Sequence, residues 1–126
     1  MRYLLDTNVL IEAVGGVARA VQALQKAAGA DWAGYSAITR IEVFGYPQLT
    51  DQEEQALSGV VAEFEEVSVD TTIVDRTIAL KRAGRIKTPD AIIAATALVY
   101  GATLITRNTD DFKRIKDLKL LNPLAK

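Results

Sequence analysis

The 126-residue chain is 49% hydrophobic, has a formal net charge of −1, and contains neither cysteine nor histidine. These values suit one globular domain over residues 1–126 and exclude disulfides, thiolate zinc sites and every mechanism that needs an imidazole. A cysteine-free chain whose apolar runs fall short of the about 20 residues that span a bilayer is expected to be cytoplasmic and free of membranes.

Hydrophobic periodicity predicts alternating strands and helices in the first half of the chain. The predicted elements are a strand at 3–5, a turn, a helix at 17–28, a strand at 32–35, helices at 37–45 and 51–64, and a strand at 67–69. Ser36 is the expected N-cap of the second helix, and Pro47 follows its end. Thr50 and Glu53 have the spacing of a capping box for the third helix.

The second half continues the alternation. Its predicted elements are helices at 72–83 and 88–100, a strand at 103–105, a short helix near Phe112 and a strand at 118–121. Thr88 is the expected cap before Pro89 at the first helical position, and Gly101 ends that helix. This order predicts an α/β fold, a three-layer α/β/α sandwich with a mainly parallel sheet of about five strands.

Two acidic residues stand out by their positions in this scheme. Asp6 directly follows the first strand, and ligands of open α/β sheets bind beyond the carboxyl ends of strands, although Asp6 could also serve only as a turn or cap residue. Asp90 lies in the first turn of a helix that is apolar on almost every side. Its alternative role is to complement the helix dipole.

Glu42 is predicted on an apolar helical stripe. Ile38, Ile41, Glu42 and Gly45 follow the i, i+3, i+4, i+7 spacing of one helical face, so the carboxylate is expected to point inward. A buried carboxylate needs a compensating cation, donor or metal. The alternative is that Glu42 lies at the edge of the stripe and reaches solvent.

The segment after the fourth strand adds polar side chains to the same edge of the sheet. Thr106, Asn108 and Asp111 are expected beside Asp6, with Asp111 facing inward and Asp110 facing solvent. Converging carboxylates without histidine or cysteine favour a hard cation such as Mg²⁺ or Mn²⁺.

Charge is distributed unevenly along the chain. Residues 1–75 contain 4 basic and 12 acidic residues, whereas residues 76–126 contain 11 basic and 4 acidic residues. The basic half could contact a polyanion or could simply be a solvated face.

Four segments in register resemble a PIN domain, and the chain looks closest to the VapC-type toxins of toxin–antitoxin pairs. The segments are D-T-N-V-L-I at 6–11, S-A-I-T-R-I-E-V-F-G at 36–45, T-P-D-A-I-I-A-A-T-A at 88–97 and L-I-T-R-N-T-D-D-F at 104–112. The resemblance implies an Mg²⁺- or Mn²⁺-dependent endoribonuclease that forms a homodimer and is neutralised by a cognate antitoxin.

The resemblance also implies roles for individual residues. Asp6, Glu42 and Asp90 would be the central catalytic and metal-binding acids, with Asp111 as the fourth, while Asn108 stands where some relatives have an acid. Thr7, Asn8 and Thr106 would orient the acids or the attacking water. The cations expected to contact RNA phosphates are Lys81, Arg82, Arg85, Lys87 and Arg107.

Two other interpretations remain open. One is a non-catalytic PIN-like module that binds RNA or protein, which an assay of metal-dependent cleavage would separate from an enzyme. The other is a phosphoacceptor receiver domain, which would need a pair of acids after the first strand, where Asp6-Thr7 supplies only one.

Overall fold

The computed structural model describes residues 1–124, in which five parallel strands form one sheet of order β3-β2-β1-β4-β5. The strands are β1 (Arg2–Leu5), β2 (Trp32–Ser36), β3 (Glu65–Val67), β4 (Thr103–Ile105) and β5 (Leu120–Leu121). The helices are α1 (Thr7–Val14), α2 (Ala18–Ala28), α3 (Ala37–Phe44), α4 (Asp51–Val61), α5 (Thr71–Ala83), α6 (Thr88–Tyr100) and α7 (Thr109–Phe112). The predicted parallel α/β sandwich is confirmed.

Both faces of the sheet are covered by helices. Tyr3 and Leu5 point into the layer formed by α1, α2 and α4, and Leu4 points into the layer of α3, α5 and α6, as the two-residue period of a strand requires. Alanines on α6, such as Ala94 and Ala97, are fully buried, which brings this helix close to the sheet. No helix within residues 1–124 is long and apolar enough to cross a bilayer.

Several local predictions are confirmed by capping contacts. The Ser36 hydroxyl accepts a hydrogen bond from the Ile38 N–H, and Thr50 and Glu53 form the expected capping box. Gly101 ends α6 in the left-handed conformation, with φ of 61°.

Other local predictions are wrong. Residues 7–14, predicted as a turn, form helix α1, and the third strand lies two residues earlier than predicted because β3 is an edge strand that tolerates Glu65 and Glu66. Helix α4 ends at Val61 rather than at residue 64. Thr88 is already helical, so Lys87 is the N-cap of α6 and no side chain caps it.

The strand order places a crevice between β1 and β4. The chain builds the sheet outward through β2 and β3, then returns to the other side of β1 to add β4 and β5. Such a reversal leaves an opening at the carboxyl ends of the two strands on either side of it. Asp6 follows β1 and Thr106 follows β4, so both residues border this opening.

Candidate active site

The carboxylate of Asp6 is buried, and both of its oxygens accept hydrogen bonds from the chain. It is the N-cap of α1, and it accepts hydrogen bonds from the Thr106 hydroxyl at 2.7 Å, the Thr7 N–H at 2.8 Å and the Asn8 amide at 3.4 Å. Burial raises the pKa of Asp6 above its ordinary value in spite of these donors, and the nearby charge of Glu42 raises it further. Asp6 is therefore held rigidly in a place that disfavours its negative charge.

Glu42 is joined to this centre through a hydroxyl group. The Thr7 hydroxyl donates to Glu42 Oε1 at 2.8 Å and lies 3.2 Å from the hydroxyl of Thr39, a buried residue of α3. Helices α1 and α3 thus contact each other at the mouth of the crevice.

The predicted inward orientation of Glu42 is wrong. Thr39 and Val43 are the buried positions of α3, whereas Ile41 is 67% exposed and Glu42 is exposed as well. The residues at the i, i+3, i+4, i+7 positions do lie on one side of α3. The core, however, is contacted by a neighbouring face of the helix, the one that carries Thr39 and Val43. Glu42 reaches the crevice from the solvent side, where its charge stays hydrated.

Asp90 lies where the charges of the other acids converge. It occupies the first turn of α6 and is half-buried. Burial is the main cause that raises the pKa of Asp90, followed by the charges of Asp6, Asp111 and Glu42, while Lys87 partly offsets the rise. Four acids distant in sequence therefore act on one another in space.

Asp110 and Asp111 are both exposed, so neither faces the core, and they differ in their charged neighbours. Asp110 forms an exposed ion pair with Lys113 at 3.3 Å, and its side chain is 91% exposed. Asp111 is also exposed, but its charge acts on Asp90. Asn108 lies at the exposed start of α7, and its N–H donates to the Thr106 hydroxyl at 3.0 Å.

Glu12 is a site neighbour that the sequence reasoning did not identify. The Arg107 N–H donates to Asn8 Oδ1 at 3.2 Å, and the Arg107 guanidinium lies 3.5 Å from Glu12, whose side chain is 17% exposed. Asn8 and Glu12 are four residues apart on α1, so one helical face holds the loop after β4. If residues 7–14 had been predicted as a helix, the i, i+4 spacing of Asn8 and Glu12 would have placed both side chains on one face.

The predicted RNA-contacting cations separate into groups. Arg85 and Lys87 line a cavity of about 1120 Å³ together with Asp90 and Asp111. The Lys81 ammonium donates to the Ile86 carbonyl at 2.8 Å, and Arg82 does not line the cavity. Arg107 is on the other side of the crevice, paired with Glu12.

The donor set suits a hard divalent cation by its chemistry. Asp6, Glu42, Asp90 and Asp111 offer only oxygen atoms, and within residues 1–124 none of them lies within 4.0 Å of a cationic side chain. No three acids of this part of the chain stand close enough to share one ion in the present arrangement. Glu42 and Asp111 are exposed side chains, and among the described residues Thr7 is the one side chain that donates a hydrogen bond to Glu42.

Comparison with known proteins places this architecture in a family. The PIN domain family model matches residues 3–118. A toxin–antitoxin complex from Klebsiella pneumoniae is 34% identical, with a TM-score of 0.81 and coverage of 98% of this chain and 99% of that one. VapBC2 from Rickettsia felis, bound to a DNA fragment from its promoter, is 25% identical, with a TM-score of 0.84 and coverage of 97% and 98%.

A curated relative matches over a shorter stretch. Ribonuclease VapC1 of Rickettsia felis is 49% identical over 41 residues, which is 32% of this chain and 31% of that protein. The family model, in contrast, spans four of the five strands and the four acids described above. The chain belongs to the PIN domain family.

Proposed function

We propose that this chain is an endoribonuclease that hydrolyses RNA phosphodiester bonds with Mg²⁺ or Mn²⁺, and that it is the toxin of a toxin–antitoxin pair. The observation that carries the proposal is the buried Asp6 carboxylate: Glu42 and Asp90 lie near enough to interact with its charge, and within residues 1–124 no cationic side chain pairs with it. The likeness to a toxin–antitoxin complex and to a protein named as a ribonuclease supports the choice of reaction and partner.

Asp6, Glu42 and Asp90 are the proposed metal-binding acids, with Asp111 as the fourth. A divalent ion held there would activate a water molecule and neutralise charge that develops on the phosphate. Its binding would also offset the burial and the repulsion by neighbouring acids that raise the pKa of Asp90. Asp6 provides the fixed point, because its three hydrogen bonds leave it a single orientation.

The neutral side chains of the crevice have positioning roles. Thr106 accepts the Asn108 N–H and donates to Asp6, so it links the loop after β4 to the buried acid. Thr7 orients Glu42, and Asn8 contacts both Asp6 and the backbone of Arg107. Asn108 is exposed at the rim and is proposed to face the substrate.

The proposed protein partners are a cognate antitoxin and a second copy of this chain. Large apolar side chains remain exposed on two helices that contact each other, Ile11 on α1 and Ile41 on α3. Exposed apolar side chains that cluster at one place on a surface are typical of protein contacts. Light scattering of the purified chain, alone and after co-expression with the antitoxin, would measure both assemblies.

The test of the enzymatic proposal is metal-dependent cleavage of RNA. The parent chain should cleave a fluorescently labelled single-stranded RNA with Mg²⁺ or Mn²⁺, lose activity with a chelator, and lose it in Asp6→Asn. Asp31→Asn is the matched control, because Asp31 is an exposed acid paired with the chain terminus on the opposite edge of the sheet. RNA binding without cleavage in either metal would instead support the non-catalytic module.

A further inference from the structure

The segment after β4 brings a cation close to the four acids. Arg107 directly follows Thr106, whose hydroxyl donates to Asp6. The Asn8 side chain measures how close it lies, because its amide donates to Asp6 Oδ2 at 3.4 Å while its oxygen accepts the Arg107 N–H at 3.2 Å. One amide group therefore spans the gap between the buried carboxylate and the backbone that carries the Arg107 side chain. An arginine side chain is long enough to cross this gap.

The backbone of Arg107 is held without help from its guanidinium. Its N–H donates to Asn8, and its carbonyl accepts a hydrogen bond from the Asn122 amide at 3.4 Å. The preceding Thr106 N–H donates to the Leu121 carbonyl at 3.0 Å, which continues the pairing of β4 with β5. The loop therefore does not need the guanidinium for its position. The Arg107 side chain is 58% exposed, so packing does not confine it either.

Glu12 of α1 is the group that determines where the guanidinium lies. The two charged groups are 3.5 Å apart, and the Glu12 side chain is only 17% exposed. Opposite charges attract more strongly where water is partly excluded, and a shielded carboxylate is destabilising without its cation. Both effects favour Glu12 as the partner over the exposed Glu42 and Asp111. Asp6, which is also shielded, already accepts three hydrogen bonds.

A second cation of the same segment is paired in a similar way. Lys113 lies 3.3 Å from Asp110, which is not one of the four acids. Arg107 and Lys113 are the two cations between positions 106 and 113, and each pairs with an acid outside the four. Within residues 1–124, none of the four acids has a cationic side chain within 4.0 Å. The nearby cations are thus kept on other partners.

We propose that Glu12 is a positioning residue that holds the Arg107 guanidinium away from the four acids and so keeps these acids available to a divalent cation. The proposal rests on the metal-dependent function proposed above and adds a residue to it. Without the charge of Glu12, the guanidinium is expected to turn toward the acids, where it competes with the metal. Arg107 is in this sense a competitor that the chain itself supplies.

The direct test needs neither metal nor RNA. Crystal structures of the metal-free parent and of Glu12→Gln would locate the guanidinium, since glutamine retains the length of the side chain and removes its charge. In Glu12→Gln we expect an Arg107 nitrogen within 4.0 Å of a carboxylate oxygen of the four acids, the distance that defines an ion pair. A guanidinium that stays beside position 12, or that extends into solvent, would overturn the proposal.

The affinity for Mn²⁺ is the second readout. Isothermal titration calorimetry should show that Glu12→Gln binds Mn²⁺ about tenfold more weakly than the parent, the usual size of effect for a residue that supports a metal site. A variant that carries both Glu12→Gln and Arg107→Gln should regain the parent affinity, because the competing cation is gone. A purely structural role of Glu12 would not be rescued by a second substitution. A double variant as weak as Glu12→Gln would therefore contradict the proposal.

Glu66→Gln is the matched control, because it breaks another glutamate–arginine ion pair. Glu66 pairs with Arg40 of α3, the helix that also carries Glu42. Arg40 and Glu42 are two residues apart, so they do not share a helical face. Release of Arg40 should leave the Mn²⁺ affinity unchanged. An equal loss in Glu66→Gln would show that net charge, rather than the position of Arg107, sets the affinity, and thermal unfolding of every variant would reveal any loss of folding.

The two readouts separate this proposal from the enzymatic one. If the guanidinium moves onto the acids in Glu12→Gln while the parent binds no Mn²⁺ and cleaves no RNA, the role of Glu12 is supported and the metal-dependent nuclease is refuted. If the parent cleaves RNA with metal while the guanidinium of Glu12→Gln does not move, the nuclease is supported and the role of Glu12 is refuted.

Discussion

At the amino edge of the sheet, where β1, β2 and β3 begin, charged side chains have partners from the chain itself. The N-terminal ammonium lies 2.5 Å from Asp31, and the Arg2 guanidinium lies 4.9 Å from the centre of the Trp32 ring. The Trp32 indole donates to Glu65 and stacks on Tyr100 with ring centres 5.0 Å apart. At the carboxyl edge, by contrast, four acids interact with one another and, within the described residues, pair with no cation.

The contrast indicates that the side chains of the amino edge stabilise the fold, whereas those of the carboxyl edge are arranged to bind a ligand. Stacked rings and a cation over an aromatic face contribute to folding without any external partner. Carboxylates that raise one another's pKa make the folded state less stable at neutral pH. A bound cation would remove this destabilisation. We therefore expect mutations at the carboxyl edge to lower activity and mutations at the amino edge to lower stability.

The largest expected difference between the edges is in activity. Glu42→Gln and Asp90→Asn should each lower the rate of RNA cleavage by roughly 10²-fold or more, because the proposed divalent ion would supply several kcal/mol of transition-state stabilisation. Glu65→Gln at the amino edge should leave the rate unchanged, since glutamine can still accept the Trp32 N–H. Initial rates at saturating Mg²⁺ measure this. Parental rates in both carboxyl-edge variants would place the reaction elsewhere.

The reverse effect is expected at the amino edge. Trp32→Ala should lower the free energy of unfolding by about 2–3 kcal/mol through loss of the Tyr100 stack, the Arg2 contact and apolar burial. The activity of each folded molecule should remain that of the parent. Urea denaturation and rate measurements on the same samples test both parts, with Trp32→Phe as the variant that retains a ring. A selective loss of turnover in Trp32→Ala would mean that the edges are coupled.

Two adjacent acids sharpen the comparison within the carboxyl edge. Asp111→Asn should lower metal-dependent activity by roughly tenfold, as expected for a residue that supports a metal site. Asp110→Asn should have little effect, because its carboxylate is 91% exposed and pairs with Lys113. The ratio of the two rates at limiting Mg²⁺ is the measurement. Equal losses would remove Asp111 from the fourth position.

The smallest expected effect concerns stability at the site itself. The folded-state pKa of Asp90 is raised above its ordinary 3.8, so as the pH rises the unfolded chain releases this proton first and stability is lost. Asp90→Asn should therefore be more stable than the parent at neutral pH, by about 0.5–1 kcal/mol, which is usual for a stabilising substitution. Well below pH 3.8, where the carboxyl is protonated in both the folded and the unfolded state, the difference should vanish.

Thermal unfolding followed by circular dichroism would measure this difference. Added Mg²⁺ should raise the melting temperature of the parent and have less effect on Asp90→Asn, since a ligand stabilises only the state that binds it. Asp110→Asn is the control, with an unchanged melting temperature at either pH. Destabilisation by Asp90→Asn at neutral pH would show that the favourable interaction of the Asp90 charge with the dipole of α6 outweighs the cost of burial and of repulsion by the other acids.

Most of the fold could be predicted from the sequence because its signals are local. Apolar runs at 3–5 and 103–105, the capping residues Ser36 and Thr50, and Gly101 all act over a few residues. Asp6 could be placed at the crevice because strand ends in a parallel sheet share one edge. The positions of helices relative to the core were harder to predict, since they depend on which neighbours arrive from distant parts of the chain.

Helix α1 and Glu42 illustrate that limit. Residues 7–14 contain Thr7, Val9, Ile11 and Val14, whose branched side chains lower helix propensity, so packing of Val9 and Leu10 in the core decides the conformation. On α3 the small Thr39 is buried while the larger Ile41 is exposed. Hydrophobicity alone would choose the opposite face, because it does not include the hydroxyl contact between Thr39 and Thr7.

The four acids are separated by most of the chain, and the last of them follows β4. Strand β4 pairs directly with β1, and Thr106, which follows it, supplies the hydroxyl that holds Asp6. During synthesis, a nascent chain that has not yet released residues 103–111 from the ribosome has neither this neighbour for β1 nor the Asp111 carboxylate. Translation products and truncated chains that lack β4 are therefore expected to be inert toward RNA, so that a cell is exposed to the proposed activity only through molecules that contain β4 and α7.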